Sequence, residues 1–339
     1  MRNYNNDYLK KLMKTIFDIV CVLGVGLLFA ACTGVGVSNV APKVAPKVNF
    51  DADSAYRYTQ EQVAFGPRVP GTEAHKRCLE YYVETFKRFG ATVEIQQGTE
   101  TNLYNKPQEV MNVIASYQPM KANRIILCSH WDSRPFADQD ADRKQVDKPI
   151  DGANDGASST GVLMEIARQL NLRQPSIGVD IILFDAEDMG TPEHLKLKYM
   201  PDSWCLGSQS WGKSDKGKSS EARYAVLLAM IGGPGATFCR EHFSQQYASD
   251  VVDKIWRMGS RLGYGSYFVN VDGGAITDDH LYINRLTKVP AIDIIHYDAQ
   301  TLTSFPAYWH THDDNMSNVD KSSLRAVGET LLAVIYDER

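Results

Sequence analysis

Apolar residues along the chain recur at two spacings, and the spacing changes from segment to segment. Short runs rich in Val and Ile predict β-strands at 92–96, 110–117, 124–128, 179–184, 224–231 and 289–295. Segments with apolar residues on one helical face predict helices at 54–65, 73–89, 157–171, 248–262 and 321–336. This alternation is typical of α/β domains. We therefore predict a three-layer α/β/α fold with a mixed, mostly parallel central sheet.

The first 31 residues differ from the rest of the chain. Three lysines precede an apolar run at 19–31, which is too short to span a bilayer and is typical of a secretory signal peptide. The run ends in small residues before Cys32, as in a bacterial lipobox. We predict that 1–31 is a lipoprotein signal peptide and that Cys32 is lipidated. Ordinary signal cleavage beside an incidental cysteine is the alternative.

Residues 32–50 are predicted to be a lipidated N-terminus and flexible tether. They contain an Ala-Pro-Lys-Val repeat at 41–48, whose prolines disfavour regular structure. Residues 51–339 are predicted to form a single catalytic domain, near the upper size limit of one hydrophobic core. We expect a monomer held in the bacterial envelope, periplasmic or associated with the outer membrane, through its lipid anchor.

Charge and cysteine content narrow the function further. The formal net charge is -5 and no basic stripe is present, which argues against nucleic acid as a partner. The predicted domain contains four cysteines, none at zinc-site spacing: Cys78, Cys128, Cys205 and Cys239. Disulfide pairing and buried free thiols both remain open for them.

Polar residues follow several predicted strands, at the end where α/β sheets bind ligands. Asp155 lies in a Gly-rich turn that opens a helix, Asp185, Glu187 and Asp188 follow an apolar strand, and His310 lies near the C-terminus. Three acids within four residues repel one another, and a cation would relieve that repulsion. Asp155, Asp188 and His310 would offer the donors that zinc accepts and leave a fourth position open. Glu187 would remain free to move protons.

Several motifs around these residues resemble the glutaminyl cyclases, a branch of the zinc aminopeptidase superfamily. The resemblance extends from about residue 65 to the C-terminus. Its segments are Gly66–Gly71, His130–Ser133, Asp185–Asp188, Asp202–Ser208, Asp278–His280 and Phe305–Asn315. The last is the most specific, because aminopeptidases of the superfamily usually keep the histidine but not the surrounding Phe-Pro and Trp.

The resemblance implies a zinc-aminopeptidase-like fold and an enzyme that closes the N-terminal glutamine of peptides to pyroglutamate with release of ammonia. It implies one zinc ion per chain. The implied residues are the zinc ligands Asp155, Asp188 and His310, the acid/base Glu187, Asp278 in its hydrogen-bonding network, and Trp309 in the substrate pocket. Without the resemblance, Asp278 would also be interpreted as a helix cap.

Two positions depart from the family pattern. Ala229 stands where the family normally has Asp, and Asp293 stands where animal cyclases have His. In dinuclear aminopeptidases that Asp binds the second metal, so Ala229 argues against a two-zinc peptidase; in cyclases it helps to hold the catalytic Glu. A zinc aminopeptidase, and an activity-impaired peptide-binding lipoprotein, are the alternative hypotheses.

Other aromatic and imidazole side chains are expected to support the site, to line its pocket or to lie at the surface. We expect His130 and Asp132 to support the site through hydrogen bonds. Trp131 and Trp204 are candidate pocket walls. Three other histidines are expected at the surface: His75, His194 and His242.

Overall fold

The computed structural model describes residues 46–192 and 194–339. Predictions on the signal peptide, on Cys32 and on most of the tether lie outside the described residues. Residues Ala45–Arg339 form one compact unit. Within the described part of the chain, no helix combines the length and apolarity needed to cross a membrane.

Helices and strands alternate through this unit, as the apolar pattern predicts. The α-helices of the described residues are α1 (Ala52–Val63), α2 (Glu73–Arg88), α3 (Ser159–Leu172), α4 (Leu206–Lys213), α5 (Asp215–Lys218), α6 (His242–Arg261), α7 (Asp279–Leu286) and α8 (Lys321–Asp337). The strands are β1 (Thr92–Thr101), β2 (Pro107–Tyr117), β3 (Arg124–His130), β4 (Gly178–Phe184), β5 (Ala225–Ala229), β6 (Phe238–Arg240), β7 (Phe268–Asp272) and β8 (Ala291–Ile295).

Six strands form the central sheet in the order β1-β2-β4-β3-β5-β8. Strands β4, β3, β5 and β8 are parallel, whereas β1 and β2 are antiparallel to their neighbours. Strands β6 and β7 form a separate parallel pair. The predicted mixed, mostly parallel sheet is therefore confirmed, and the parallel strands bring their carboxyl ends to one edge.

Both faces of the sheet are covered by helices. Leu127 of β3 points into the larger core, which also contains side chains of α1, α2, α3, α6 and α8. Its neighbour Cys128 points into a second core that Trp211 of α4 and Ile283 of α7 complete. Because successive side chains of a strand face opposite sides, a strand apolar at every position is buried between two layers. The three-layer prediction is confirmed.

The structure adds elements that the apolar pattern did not predict. Helices α4 and α7 have eight residues each, and strands β6 and β7 have three and five residues. Such short segments carry too few apolar repeats to be recognised. Helix α6 begins at His242 rather than at 248, and Ala248 has non-helical dihedral angles within it.

One surface prediction is wrong. His75 of α2 is only 7% exposed, its Nε2 lies 2.7 Å from Asp185 Oδ1, and its ring stacks on Trp131. Trp131 is fully buried in that stack, so it supports the core rather than lining a pocket. His242 is exposed and His194 is partly exposed.

Candidate active site

The predicted ligands lie at the carboxyl edge of the sheet, and the backbone conformation is unusual at Asp155 and His310. Asp155 belongs to an irregular helical turn, Ala153–Ser158, in which Gly156 has φ 93°. A Cβ at Gly156 would lie 2.8 Å from the backbone oxygen of Asp132, so only glycine fits there. The N–H of Asp155 donates to Asp314 Oδ2 at 3.0 Å. Gly156 and the hydrogen bond to Asp314 thus both fix the conformation of this turn.

Asp155, Asp188 and His310 come together as predicted. Their ligand atoms all lie within 4.8 Å of one another, and the three side chains are buried. His310 Nε2 lies 3.2 Å from Asp188 Oδ1 and 3.7 Å from Asp155 Oδ2. Asp188 Oδ2 is buried and has no hydrogen-bond partner among the described residues. An orphaned carboxylate oxygen beside a second carboxylate and an imidazole fits a zinc ion as the missing partner.

The electrostatics of this cluster also favour a cation. Burial alone would lower the pKa of His310, but the carboxylates of Asp188 and Asp138 raise it above its ordinary value. The imidazole therefore experiences a strongly negative environment, which a divalent ion would neutralise.

Two residues that the sequence did not single out orient the cluster. Asp138 Oδ1 lies 3.1 Å from His310 Nδ1, which directs Nε2 toward Asp188. Arg134 forms a two-point ion pair with Asp138 and donates to Asp188 Oδ1 at 3.1 Å. Both side chains are buried, and burial would raise the pKa of Asp138, but Arg134 and His310 hold it far below its usual range.

Asp132 holds the turn that carries the acid residues. It accepts hydrogen bonds from the N–H groups of Glu187 at 3.0 Å and Asp188 at 3.1 Å. His130 Nε2 lies 3.0 Å from Asp155 Oδ1. The predicted supporting role of His130 and Asp132 agrees with these contacts.

Glu187 is partly buried beside the cluster and lines the adjoining cavity. The thiol of Cys205, for which the sequence predicts no role in the site, donates to Glu187 Oε1 at 3.3 Å. Burial, and then the negative charge of Asp278, raises the pKa of Glu187 well above its ordinary value. A carboxyl group whose pKa is raised in this way can both accept and donate a proton near neutral pH.

Asp278 caps a helix and also lines the cavity. It caps α7, accepting from the N–H of Asp279 at 2.6 Å. It also lines the cavity, and its carboxylate lies within 4.8 Å of the ligand atoms of Glu187 and Cys205. Burial raises its pKa.

A cavity of about 350 Å³ adjoins these acids. Its polar floor contains Glu187, Asp188, Asp278 and His310, and its aromatic wall is formed by Tyr199, Trp204, Tyr297, Phe305 and Trp309. Trp309 and Trp204 both lie in this wall, as the sequence predicts for Trp204. The arrangement is suited to a small polar group followed by a less polar chain.

Strained backbone conformations concentrate around this cavity. Among the described residues, seven non-glycine residues have positive φ, and five of them surround the site: Ala186, Cys205, Met230, Ser304 and His310. Each such conformation costs roughly 1–3 kcal/mol and persists only where its surroundings impose it. Their concentration supports the assignment of this edge as functional.

The two departures from the family pattern are both buried near the site. Ala229 ends β5 and lines the cavity, so no carboxylate is present there to hold a second metal beside Asp155. Asp293 is fully buried, with His280 Nδ1 3.8 Å from its Oδ2. Burial, and then Asp278, raises the pKa of Asp293 well above its ordinary value, which favours its neutral form.

The cysteines of the described residues are free thiols. Cys78, Cys128 and Cys205 are buried, and Cys239 is partly exposed.

The chain is similar to known proteins in both sequence and structure. The sequence model described as peptidase family M28 matches residues 112–335. The structure of Tannerella forsythia glutaminyl cyclase is 50% identical, with 86% of this chain and 100% of that chain covered and a TM-score of 0.84. A Zn-dependent exopeptidase from Parabacteroides distasonis is 49% identical, with coverages of 86% and 99% and a TM-score of 0.84. Bos taurus glutaminyl-peptide cyclotransferase is 24% identical over 80% of this chain and 78% of its own length.

Proposed function

We propose that this chain, which belongs to peptidase family M28, is a glutaminyl-peptide cyclotransferase that converts the N-terminal glutamine of peptides to pyroglutamate and releases ammonia. The observation that carries the proposal is a cavity lined by the Glu187 carboxyl group, by the Asp155–Asp188–His310 cluster and by an aromatic wall.

Zinc fits the donor set of Asp155, Asp188 and His310, and we propose one ion per working chain. The chemistry that zinc supplies in such a site is Lewis-acid polarisation of a carbonyl oxygen, here the γ-carbonyl of the substrate glutamine. Because the attacking α-amine belongs to the same substrate molecule, the residues need only hold a folded conformation of the glutamine.

Glu187 moves the proton. Its carboxylate takes a proton from the α-amine as the nitrogen attacks the carbonyl carbon of the side-chain amide, and the resulting carboxylic acid returns the proton to the departing amide nitrogen, which leaves as ammonia. Cys205 donates to Oε1 and thereby restricts the orientation of the carboxylate. Asp278 raises the proton affinity of Glu187 by its negative charge.

The aromatic wall favours cyclisation over hydrolysis. Trp309 stacks on His310 with ring centroids 3.6 Å apart, so an apolar surface adjoins the proposed ligands directly. Trp204 is stacked over His310 from a greater distance, 6.3 Å. A substrate held between such surfaces leaves little room for a competing water molecule.

Ala229 argues against a two-zinc peptidase. A two-metal peptidase holds its ions about 3.5–4 Å apart with ligands to both. The methyl group of Ala229 contributes no ligand at the position where the family normally supplies one. Intramolecular attack needs no metal-activated water, and one ion suffices.

The direct test measures ammonia release from a Gln-initiated dipeptide, with and without a zinc chelator, beside a Leu-initiated chromogenic amide. We expect chelator-sensitive ammonia release, a product that has lost one ammonia by mass spectrometry, and no Leu cleavage. Cleavage of the Leu substrate would instead identify an aminopeptidase. No reaction with either substrate, also after Ala229→Asp, would favour a peptide-binding protein.

The N-terminal predictions complete the proposal. We infer a lipid anchor on Cys32, an envelope location, periplasmic or associated with the outer membrane, and a monomeric state; these rest on the sequence pattern at 19–32 and on the size of the predicted domain. Labelling with a fatty-acid analogue should mark the wild-type protein and not Cys32→Ser, and light scattering of the detergent-solubilised protein should give one chain. Equal labelling of both proteins would refute the anchor site.

A further inference from the structure

A second group of metal-ligating side chains lies beside the proposed zinc site. The ligand atoms of Glu187, Cys205 and Asp278 lie within 4.8 Å of one another, as do those of Asp155, Asp188 and His310. None of these three residues belongs to the zinc triad. Cys205 Sγ is 3.3 Å from Glu187 Oε1, so sulfur and oxygen already face each other.

Hydrogen bonds fix the backbone at Cys205 and the position of the Asp278 side chain. The N–H of Cys205 donates to the backbone oxygen of Glu187 at 2.8 Å, and Cys205 adopts a left-handed conformation. Asp278 is fixed as the cap of α7. The three ligand atoms therefore require little reorganisation to share an ion.

An ion can reach this group. Glu187 and Asp278 both line the cavity of about 350 Å³, and Cys205 lies behind Glu187. Asp279, fully buried, adds another carboxyl group near Glu187. A cation entering the cavity would therefore meet several acidic side chains.

We propose that Glu187, Cys205 and Asp278 form a second, inhibitory site for a thiophilic divalent cation such as Zn²⁺ or Cd²⁺. A thiolate with two carboxylates selects such ions over Mg²⁺ and Ca²⁺, which prefer oxygen donors alone. Binding replaces the S–H···O hydrogen bond by coordination from both atoms, and the thiol proton leaves to solvent. The inhibitory part rests on the proposed function, because the ion occupies the carboxylate that moves the substrate proton.

The test begins with metal content rather than activity. Zinc-loaded protein is dialysed against rising Zn²⁺, and bound zinc per chain is measured for wild type, Cys205→Ser and Cys239→Ser. We expect a second ion in wild type and Cys239→Ser, and at least about tenfold weaker second-ion binding in Cys205→Ser, since removing a ligand should cost no less than removing its supporting residue. Cys239 is the control because it is the most accessible thiol of the described residues.

Cadmium identifies the ligand. The proposed zinc triad contains no sulfur, so cadmium–thiolate absorption on adding Cd²⁺ to the zinc-loaded enzyme should appear in wild type and Cys239→Ser and be lost in Cys205→Ser. Asp278→Asn, which retains a capping side chain, is a second variant and should also weaken the second ion at least about tenfold. Excess Zn²⁺ should inhibit ammonia release by wild type and Cys239→Ser more strongly than by Cys205→Ser, each relative to its own activity.

The proposal would be overturned if wild type bound only one zinc ion, or if Cys205→Ser bound a second zinc ion as tightly as wild type does. The latter result would place the ion elsewhere, for example beside His130 and Asp155. Because metal content is measured without substrate, the second site can be confirmed or refuted even if the protein shows no cyclase activity.

Discussion

Two Asp–His pairs lie two residues apart in the chain but have different surroundings. Asp138 Oδ1 lies 3.1 Å from His310 Nδ1, and both side chains are buried. Asp140 Oδ2 lies 2.9 Å from His312 Nδ1, and 39% of the His312 side chain is exposed. Only the first pair contains a residue of the zinc triad, His310. The second pair therefore serves as a control for the first.

We expect Asp138→Asn to weaken zinc binding about 10–100-fold, because the amide orients His310 less well and carries no charge. Asp140→Asn should change zinc affinity less than about threefold, since an exposed pair contributes little. Competition with a chromogenic chelator measures both affinities. Similar affinities for the two variants would show that Asp138 does not position His310.

Glu187→Gln should separate proton transfer from metal binding. The amide preserves size but cannot carry the proton, so we expect kcat to fall by about 10²–10⁴-fold. Zinc content should remain at one ion per chain, whereas Asp188→Asn, one residue later, should reduce it. If Glu187→Gln kept activity within tenfold of wild type, another group would have to move the proton.

Some site residues can be recognised in the sequence and others cannot. The difference is whether a short sequence pattern marks the residue. Asp155 and Asp188 occur in short polar motifs beside predicted elements, which the sequence displays directly. Asp138 and Cys205 acquire their roles only through contacts with distant residues, His310 and Glu187. No local pattern marks such a contact.

His75 is an error that the sequence could have prevented. It lies three and four residues before Cys78 and Leu79, on the same apolar face of α2. That position favours burial, and the structure pairs the imidazole with Asp185. Polarity alone favours the surface for a histidine, whereas the place of His75 in the helical repeat favours burial.

At the scale of elements, the beginning of α6 depends on a buried carboxylate. Glu241 caps the helix by accepting from the N–H groups of Phe243 at 2.9 Å and Ser244 at 2.6 Å, and it also accepts from the N–H of Ile276 at 3.1 Å. Its Oε2 lies 3.1 Å from His280 Nε2. The cap therefore joins α6 to the segment that leads into α7. A hydrophobic repeat beginning at 248 could not reveal it.

Glu241→Gln should destabilise the protein by about 1–3 kcal/mol at pH 7, because one amide oxygen cannot replace a carboxylate that accepts several hydrogen bonds. Burial would raise the pKa of Glu241, but His280 and the N–H groups of Ser244 and Phe243 lower it from 4.5 to about 2. A lowered pKa means that the ionised form stabilises the fold. This stabilisation is complete above pH 4.5 and is lost as the pH falls toward 2.

Urea unfolding of wild type and Glu241→Gln at pH 7, 5, 4 and 3 would test this dependence. We expect the difference in unfolding free energy to be constant at the two higher pH values and to shrink below about pH 4.5. Asp53→Asn, which removes a surface ion pair with Lys321, is the control and should cost less than about 1 kcal/mol. A difference that grew on acidification would contradict the assigned direction of the pKa shift.

At the scale of the whole molecule, the apolar pattern predicted the layers and the strand direction but not the supports of the site. Uninterrupted apolar strands such as β5 identify a sheet covered on both faces, and parallel order brings their carboxyl ends together. The proposed ligands nevertheless come from distant parts of the chain, and Asp155 and His310 are 155 positions apart. Their approach is a property of the complete fold.

Because the zinc triad exists only in the folded chain, metal removal should lower stability. Zinc present at 100 times its dissociation constant would add about 2.7 kcal/mol to the unfolding free energy. For a domain of this size that corresponds to a rise in Tm of roughly 5–10 °C. Differential scanning calorimetry of chelator-treated and zinc-restored protein would measure it.

Two variants test whether zinc bound at the triad causes that stabilisation. Glu187→Gln keeps all three proposed ligands, so its Tm should still rise with zinc by about the wild-type amount. Asp188→Asn loses a ligand and should lose most of the rise, although the substituted residues are adjacent. Equal responses would mean that zinc stabilises the fold from another site, and the triad could then no longer explain both metal binding and catalysis.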